Sequence, residues 1–406
     1  MRMAGIAIMG YGIVGSGVYA AVERSQDLLA KKLGEPLEVK AILDIRPFPG
    51  DPAEGLITND LGKIIEDPGI ALVVETMGGV GAAYEFTRKA LEAGKHVVTS
   101  NKALVAKHGA ELLERAQEKG VKYLFEASVG GGTPVLKPLC QTLEIERVLE
   151  IEGILNGTTN YILTQMENSG MSFREALKQA QEMGYAEKDP SDDIKGDDPR
   201  RKLAILLSTV TGKNVEPERI NAEGVEKIDK EDFVFAGKFS CTIKLVAKAV
   251  IDGDKISAAV FPMAVPKNSL FASVNDVYNA VIITSSISDN VLYYGRGAGK
   301  LPTASSVLVD IVDALAGSSI QRIWKSEPAS MIKEDVFGNA RLVRLERAID
   351  EKSLGLVSEL FDNPYWIGNL GFVAPPMPAE QFLPMAKNLE ANGIAIANAF
   401  RIYAHR

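Results

Sequence analysis

Histidine and cysteine are scarce in this chain. Its 406 residues include three histidines (His96, His108, His405) and two cysteines (Cys140, Cys241). Two cysteines give no disulfide framework and no thiolate zinc site. Three scattered histidines exclude a histidine-rich metal centre, so acid–base chemistry falls to Lys, Asp, Glu or Tyr. An excess of positive charge is missing too. Lys and Arg number 45 against 53 Asp and Glu, a net charge of -8, which disfavours nucleic acid as a partner. No apolar run approaches the roughly 18–20 residues that span a bilayer. The opening MRMAGIAIMGYGIVG has neither a long apolar region nor a small-residue cleavage site, so it reads as a first strand rather than a signal peptide. These absences point to a reducing cytoplasm and to no membrane partner.

What is present, 46% hydrophobic and 24% charged residues, is ordinary for a globular protein. The length predicts two or three domains of roughly 150 residues each. Strands are expected at 4–9, 37–43, 70–74, 97–99 and 122–126, with helices from Ile13 to about Lys32, at 84–93 and at 108–119. Gly94 and Gly120 close the last two helices. This alternation argues an α/β fold with a parallel, doubly wound sheet, the Rossmann arrangement. The texture changes near 140–150. A strand at 149–155, helices at 172–183 and 199–211, and strands at 258–265, 281–286 and 291–294 suggest an α+β domain. The stretch 318–338 reads as irregular, and 338–406 as a small α+β tail. The expected domains are 1–140 with 300–320 for a dinucleotide, 141–299 for substrate and dimerisation, and 338–406.

GYGIVG at 10–15 fits the dinucleotide fingerprint, with Gly10, Gly12 and Gly15 around Ile13 and Val14. The first glycine allows the tight turn, the second lets the backbone approach a pyrophosphate, and the third lets helix pack on strand. The following helix offers free N–H groups to the phosphates. Asp44 ends the second strand and suits a ribose 2′-hydroxyl, favouring NAD, whereas Arg46 suits a 2′-phosphate. Asp44 lies further from Gly15 than the usual spacing of about 20 residues, so the first helix is expected to be long. NAD and NADP both stay open, and two solvated charges at a strand end are the third reading.

ETMGG (75–79), TSNKALVA (99–106) and EASVGGGTPVL (126–136) end further strands, where an open parallel sheet receives its ligand. Lys102 stands at a helix start, against the preference of the dipole. GYAEKDPSDDIKGDDPRRKLAILL at 184–207 is dense in carboxylates. Pro199 reads as the first helical residue, which makes Asp198 the N-cap. Lys202 follows four residues later, about 6 Å along the axis. A cap with an i,i+4 ion pair and a converging acid–amine site are both open on spacing alone.

Taken in order with GILNGTTNYIL and with GRGAGKLPTASSVL at 295–308, these segments resemble the homoserine dehydrogenases. The resemblance implies NAD- or NADP-dependent interconversion of L-homoserine and L-aspartate 4-semialdehyde, in threonine and methionine biosynthesis, by a monofunctional homodimer. It assigns Lys202 and Lys102 to the catalytic pair. Gly157, Thr158, Tyr185, Glu187, Asp193 and Asp198 fall on substrate positions, Glu187 and its acidic neighbours suiting the ammonium group. Thr76, Gly78, Asn101, Gly297, Ala298 and Gly299 fall on cofactor positions, as does Lys102. It also implies a monovalent cation, sodium or potassium, at Glu126, Val129, Gly131 and Thr133, mostly through carbonyls, a donor set suited to a hard ion. A glycine-rich loop without metal is the other reading.

A lysine acts as base only if its pKa falls from about 10.4 toward working pH. Arg200, Arg201, Lys102, a helix N-terminus and burial would lower that of Lys202; Asp198 opposes them. The tail resembles a divergent ACT module in element order only. AIDEKSLG (348–355) replaces the Asp-x-Pro-Gly turn and one strand is short, so threonine binding is disfavoured and packing against a partner subunit is expected. Two alternatives are another Rossmann dehydrogenase of an amino or hydroxy acid, and a catalytically inactive NADP or amino-acid sensor.

Overall fold

A computed structural model divides the chain into two compact units. It describes residues 4–404 except 319, 321, 333–336 and 363; His405 lies outside the described residues.

The first unit comprises Met1–Leu149, Arg201–Arg219 and Val281–Ser330. Its sheet uses β1 (Ala4–Met9), β2 (Leu37–Leu43), β3 (Ile57–Thr58), β4 (Ile70–Glu75), β5 (His96–Thr99) and β6 (Tyr123–Leu124). All pairings are parallel, in the order β3-β2-β1-β4-β5-β6. This is the doubly wound nucleotide order, so the α/β expectation holds. Strands covered on both faces need unbroken apolar runs, and Ile6, Ile8, Val74 and Val98 are fully buried in one core.

The single helix expected from Ile13 to about Lys32 is two, α1 (Ile13–Arg24) and α2 (Gln26–Leu33), separated at Ser25. Serine competes for the backbone and ends helices readily. The extra helix accounts for the long reach from Gly15 to Asp44. Next come α3 (Gly62–Ile65), α4 (Gly81–Glu92) and α5 (Lys102–Glu118). Helix α5 begins six residues before the expected start at His108 because the Asn101 side chain caps it, accepting from Leu104 N–H at 3.1 Å. The strand expected at 122–126 shrinks to β6, and Glu126 instead precedes α6 (Ala127–Gly130), followed by α7 (Leu136–Thr142).

The second unit comprises Glu150–Arg200, Ile220–Ala280 and Met331–Arg406. Its first part carries β7 (Val148–Ile154), α8 (Gly157–Ser169), α9 (Phe173–Glu182), α10 (Ser191–Ile194) and the start of α11 (Asp197–Thr211). The two longest elements here that the sequence did not predict are α8 and β10 (Cys241–Asp252). Threonines in NGTTNYIL hide the helical character of α8. Strand β10 was obscured by Lys244 and Lys248, which break its apolar pattern yet are buried. Short β8 (Lys213–Asn214) belongs to the first unit, where it pairs with β14 (Lys325–Pro328). Then follow β9 (Asn221–Ala222), α12 (Lys230–Gly237) and β11 (Lys255–Pro266), which pairs antiparallel with β10 over its whole length.

A hairpin of β12 (Tyr278–Ser285) and β13 (Asp289–Arg296) leads to α13 (Lys300–Ala316). This helix returns Ala304, Val307 and Ile311 to the first unit's core. After β15 (Ser330–Met331) the tail runs β16 (Arg341–Leu345), α14 (Glu351–Leu360), β17 (Tyr365–Trp366), β18 (Gly371–Ala374), α15 (Ala379–Ala391) and β19 (Ile396–Ile402). Its antiparallel order is β19-β16-β18-β17. The internal strand β17 is short, two residues long. Within the chain itself the tail extends the unit's sheet, β19 pairing parallel with β11. Arg344 clamps α12 with 2.6 Å bonds to Asp229 and Asp232.

Candidate active site

In the first unit the three fingerprint glycines do different work. A Cβ at Gly15 would lie 1.9 Å from the Gly10 carbonyl oxygen, and one at Gly10 would lie 2.8 Å from Met77 Cα. Both positions are therefore fixed by packing. A Cβ at Gly12 would meet nothing within 4 Å, so the backbone there faces open space at the start of α1. Ile13 beside it is 72% exposed, which suits a ligand-covered position; Val14 is half-buried. No side chain caps α1, so its first N–H groups remain for an anion.

Asp44 accepts from the Tyr11 N–H at 2.8 Å and forms a two-pronged pair with Arg46 at 2.8 and 2.9 Å. The Arg46 guanidinium holds the Asp44 carboxyl well below the usual carboxylate range. The strand-end acid and the cation thus form one unit, which spacing could not reveal.

The end of β4 is organised by Glu75, a fully buried carboxylate. It accepts from Thr99 Oγ1 at 2.6 Å, from Met77 N–H at 2.8 Å and from Asn101 Nδ2 at 3.5 Å. Burial pushes its pKa up despite these donors. Asn101 also donates to the Gly79 carbonyl at 2.6 Å, and Thr76 Oγ1 donates to the Gly10 carbonyl at 2.7 Å. Gly78 is exposed with a φ of +77°, a conformation that favours glycine. Lys102 is half-buried as the first residue of α5, directly after this network. Glu75 opens the ETMGG motif, yet its role was missed; a carboxylate ending an apolar run was the available signal.

The two later glycine motifs interlock in the same unit. A Cβ at Gly131 would lie 2.3 Å from the Gly297 oxygen, and one at Gly132 would lie 2.5 Å from Pro302 Cβ. Gly132 N–H donates to the Arg296 carbonyl at 3.1 Å. Gly299 is exposed, with φ +123°, immediately before α13; Ala298 is exposed and Gly297 buried. Glu126 brackets this loop. Its carboxylate accepts from the N–H groups of Val135, Leu136 and Lys137 at 2.5, 2.9 and 2.6 Å. Its own N–H donates to Asp310 of α13 at 2.8 Å. Burial pushes Asp310 far up. Val129 is fully buried, and the buried Thr133 hydroxyl has no hydrogen-bond partner among the described residues.

In the second unit the acidic run is held by a residue that was not singled out from sequence. Asn156 Nδ2 donates to both Asp193 Oδ1 and Asp198 Oδ2, each at 2.7 Å. Asn156 also caps α8, its Oδ1 accepting from Thr159 N–H at 2.8 Å. One amide therefore joins a helix N-terminus to two carboxylates. The cap reading of Asp198 is corrected. Helix α11 begins at Asp197 rather than Pro199, with Arg200 N–H bonded to the Gly196 carbonyl. Proline is tolerated in a first turn because its missing N–H would have no intrahelical partner. Asp198 is 1% exposed and Lys202, one turn on, 7%. Arg200 is engaged by Asp197 at 2.6 Å, which offsets its charge.

Of the other substrate candidates, Thr158 Oγ1 donates to the Tyr185 carbonyl at 2.8 Å. The Tyr185 ring stands edge-on to Tyr161, centroids 5.0 Å apart. Gly157 opens α8, where a Cβ would lie 2.9 Å from the Val277 oxygen. Glu187 is exposed, and it is its carbonyl that accepts from Gln181, at 3.1 Å.

Comparison with known proteins decides the family. The homoserine dehydrogenase family pattern matches residues 134–312, and the pattern of its NAD-binding domain matches residues 10–126. A homoserine dehydrogenase of Pseudomonas aeruginosa is 39% identical over 338 residues, 83% of this chain and 76% of that protein. This chain belongs to the homoserine dehydrogenase family. A second family member, from Synechocystis sp., is 43% identical over 76% of this chain and 72% of its own length. The crystal structure of the Thiobacillus denitrificans homoserine dehydrogenase superposes with a TM-score of 0.89 at 31% identity, covering 99% of both chains. A hyperthermophilic archaeal homoserine dehydrogenase, solved with NADPH, shares 26% identity and a TM-score of 0.66 over 79% of this chain and all of its own. The fold and the family reading from sequence both stand. Among the described residues, no group of three or more His, Cys, Asp or Glu could hold a metal ion. No described helix is long and apolar enough to cross a membrane.

Proposed function

We propose that Lys202 and Lys102 are the acid–base pair for interconversion of L-homoserine and L-aspartate 4-semialdehyde, and that the cofactor is NADP or NAD. The observation that carries this reading is the Asn156-held carboxylate pair, one member of which precedes buried Lys202 by a turn of α11. When bound, the nicotinamide supplies the hydride chemistry. Lys202 takes the hydroxyl proton as homoserine is oxidised and returns it to the aldehyde oxygen in reduction. Lys102, set by Asn101 and Glu75, holds the same oxygen. Asp193, Asp198 and Glu187 meet the substrate ammonium, with Gly157, Thr158 and Tyr185 beside it.

Gly10, Gly12, Ile13, Val14 and Gly15 take the pyrophosphate; Thr76, Gly78, Asn101, Gly297 and Gly299 complete the cofactor contacts. A monovalent cation, sodium or potassium, would be held by Glu126, Val129, Gly131 and Thr133, mostly through carbonyls. The unpartnered Thr133 hydroxyl supports it, because a buried oxygen without a donor suits a hard ion. Residues 1–140 with 300–320, 141–299 and 338–406 form the cofactor, substrate and tail domains. A cytoplasmic homodimer is supported by the two buried cysteines, neither in a disulfide, and by the exposed apolar Ile287, Leu292 and Tyr294 near and along β13.

The test is consumption of NADPH and of NADH with L-aspartate 4-semialdehyde. Cofactor binding without turnover of either would overturn the reading in favour of a sensor. The same assay resolves the Asp44–Arg46 pair, which offers an acceptor to a 2′-hydroxyl and a cation to a 2′-phosphate. Arg46→Ala is expected to lower kcat/KM for NADPH about tenfold, the worth of one charge-assisted bond, and to spare NADH. Equal loss with both cofactors would reduce Arg46 to a clamp on Asp44.

A further inference from the structure

We infer that Lys244, a buried lysine on β10 outside the acid–base pair, is a positioning residue that sets the substrate-binding end of α8 by tying it to the loop 274–278. The inference rests on the substrate reading above.

Lys244 is 1% exposed. Its Nζ donates to the Val274 carbonyl at 2.7 Å, to Asn275 Oδ1 at 2.9 Å and to Asn160 Oδ1 at 3.2 Å. An ammonium has three N–H donors, and here three neutral oxygens meet them. No carboxylate is among the three, which is unusual for a buried cation. The same contacts extend outward. Asn160 Nδ2 donates to the carbonyls of Val274 and Tyr278, both at 3.1 Å. Thr164 Oγ1 accepts from the Asp276 N–H at 3.0 Å and donates to the Asn160 carbonyl at 2.7 Å. Asp276 itself takes a φ of +54°, a strained turn held by these bonds.

The loop so held presses the Val277 carbonyl against Gly157, where even a methyl group would come within 2.9 Å. Gly157 is the first residue of α8, next to Asn156 with its two carboxylates. The lysine therefore fixes, through one loop, the height of the turn that carries Asn156, Gly157 and Thr158. A neutral amine has two N–H groups for three acceptors, so one contact is lost on deprotonation.

Two carboxylates face Lys244. Glu167 of α8 is itself engaged by Thr242 Oγ1 at 2.5 Å and Lys267 at 3.3 Å, and Asp276 belongs to the loop. Both favour the ammonium. Burial opposes them and prevails, so Lys244 is pushed down to about 8. Below that pH the clamp is closed, and above it the clamp loosens. The KM for homoserine is thus expected to rise above a pH of about 8.

The experiment uses the full-length enzyme and follows KM for homoserine, kcat and cofactor KM across the titration range of a buried lysine, about pH 7 to 9.5. Lys244→Met is expected to raise KM for homoserine about tenfold, with kcat and cofactor KM within about twofold, and to flatten the alkaline rise. Asn160→Asp gives the ammonium a carboxylate partner and is expected to move the rise to higher pH. If Lys244→Met does not fold, Asn275→Ala removes one acceptor and is expected to raise the same KM about threefold. A folded Lys244→Met with unchanged homoserine KM overturns the inference, as does an unchanged KM in Asn275→Ala. Amide hydrogen exchange at 156–160 reads the same clamp without turnover. Faster exchange in either variant supports the clamp and unchanged exchange refutes it, even if the wild type fails to oxidise homoserine, which would count against the substrate reading alone.

Discussion

Replacing Lys202 by alanine is expected to lower kcat by about 100-fold or more, in the range for loss of a general acid–base group, while cofactor still binds. Lys202 is 7% exposed on α11, one turn after a carboxylate that is 1% exposed. An amine in such a place is shielded from bulk water and can exchange a proton with one bound alcohol rather than with solvent. Lys202→Arg separates charge from proton transfer. Arginine keeps the positive charge and cannot deprotonate, so homoserine oxidation is expected to stay lost. The direction of pH dependence follows. Oxidation needs the free amine and rises with pH, whereas semialdehyde reduction needs the ammonium and falls. Stopped-flow turnover in both directions, beside a thermal melt to verify folding, checks the set. Wild-type rates in Lys202→Ala would sink the assignment.

Asn156 carries the second large effect. Its amide meets two carboxylates at 2.7 Å each, and two like charges drawn to one point repel unless donors stand between them. Asn156→Ala is expected to raise KM for homoserine about 50-fold or more, two charge-assisted bonds being lost together. It also removes the cap of α8, at a cost of about 1 kcal/mol. Asn156→Ser separates the two roles. Serine caps a helix but cannot bridge both carboxylates, so stability is expected to return while homoserine binding stays weak. Recovery of KM in the serine variant would show that capping alone matters.

How far the site was legible depends on what each residue signals along the chain. Gly10, Gly12 and Gly15 announce themselves because a tight turn between strand and helix has few sequence solutions. Lys102 and Lys202 are singled out by their places at helix starts and by motifs shared with a family. Asn156 was passed over because its two partners lie 37 and 42 residues ahead, and no local pattern encodes such a meeting. Glu75 was hidden in the same way, its donors Thr99 and Asn101 arriving from the next strand and helix. Helix α8 and strand β10 were lost for a physical reason. Their cores include Thr159, Asn160, Lys244 and Lys248, polar groups made compatible with burial only by partners from elsewhere. Where burial is apolar, as in β1, β2 and β4, the elements were read almost to the residue.

The outer edge of β11 has a consequence for assembly. This strand is 12 residues long, and a bare edge of that length is a template for pairing with other chains. Three pieces from distant parts of the sequence share its cover. The Ile332 N–H bonds to Ile256, β9 pairs at Ala259 and Val260, and β19 pairs at Met263 and Ala264. Each piece pairs with only one or two residues of β11, yet together they are spread along the strand from Ile256 to Ala264. The tail is in this sense a guard rail on the second unit's sheet. A chain cut before Arg341 would keep every residue assigned to chemistry and would expose the stretch of β11 most ready to recruit a neighbour.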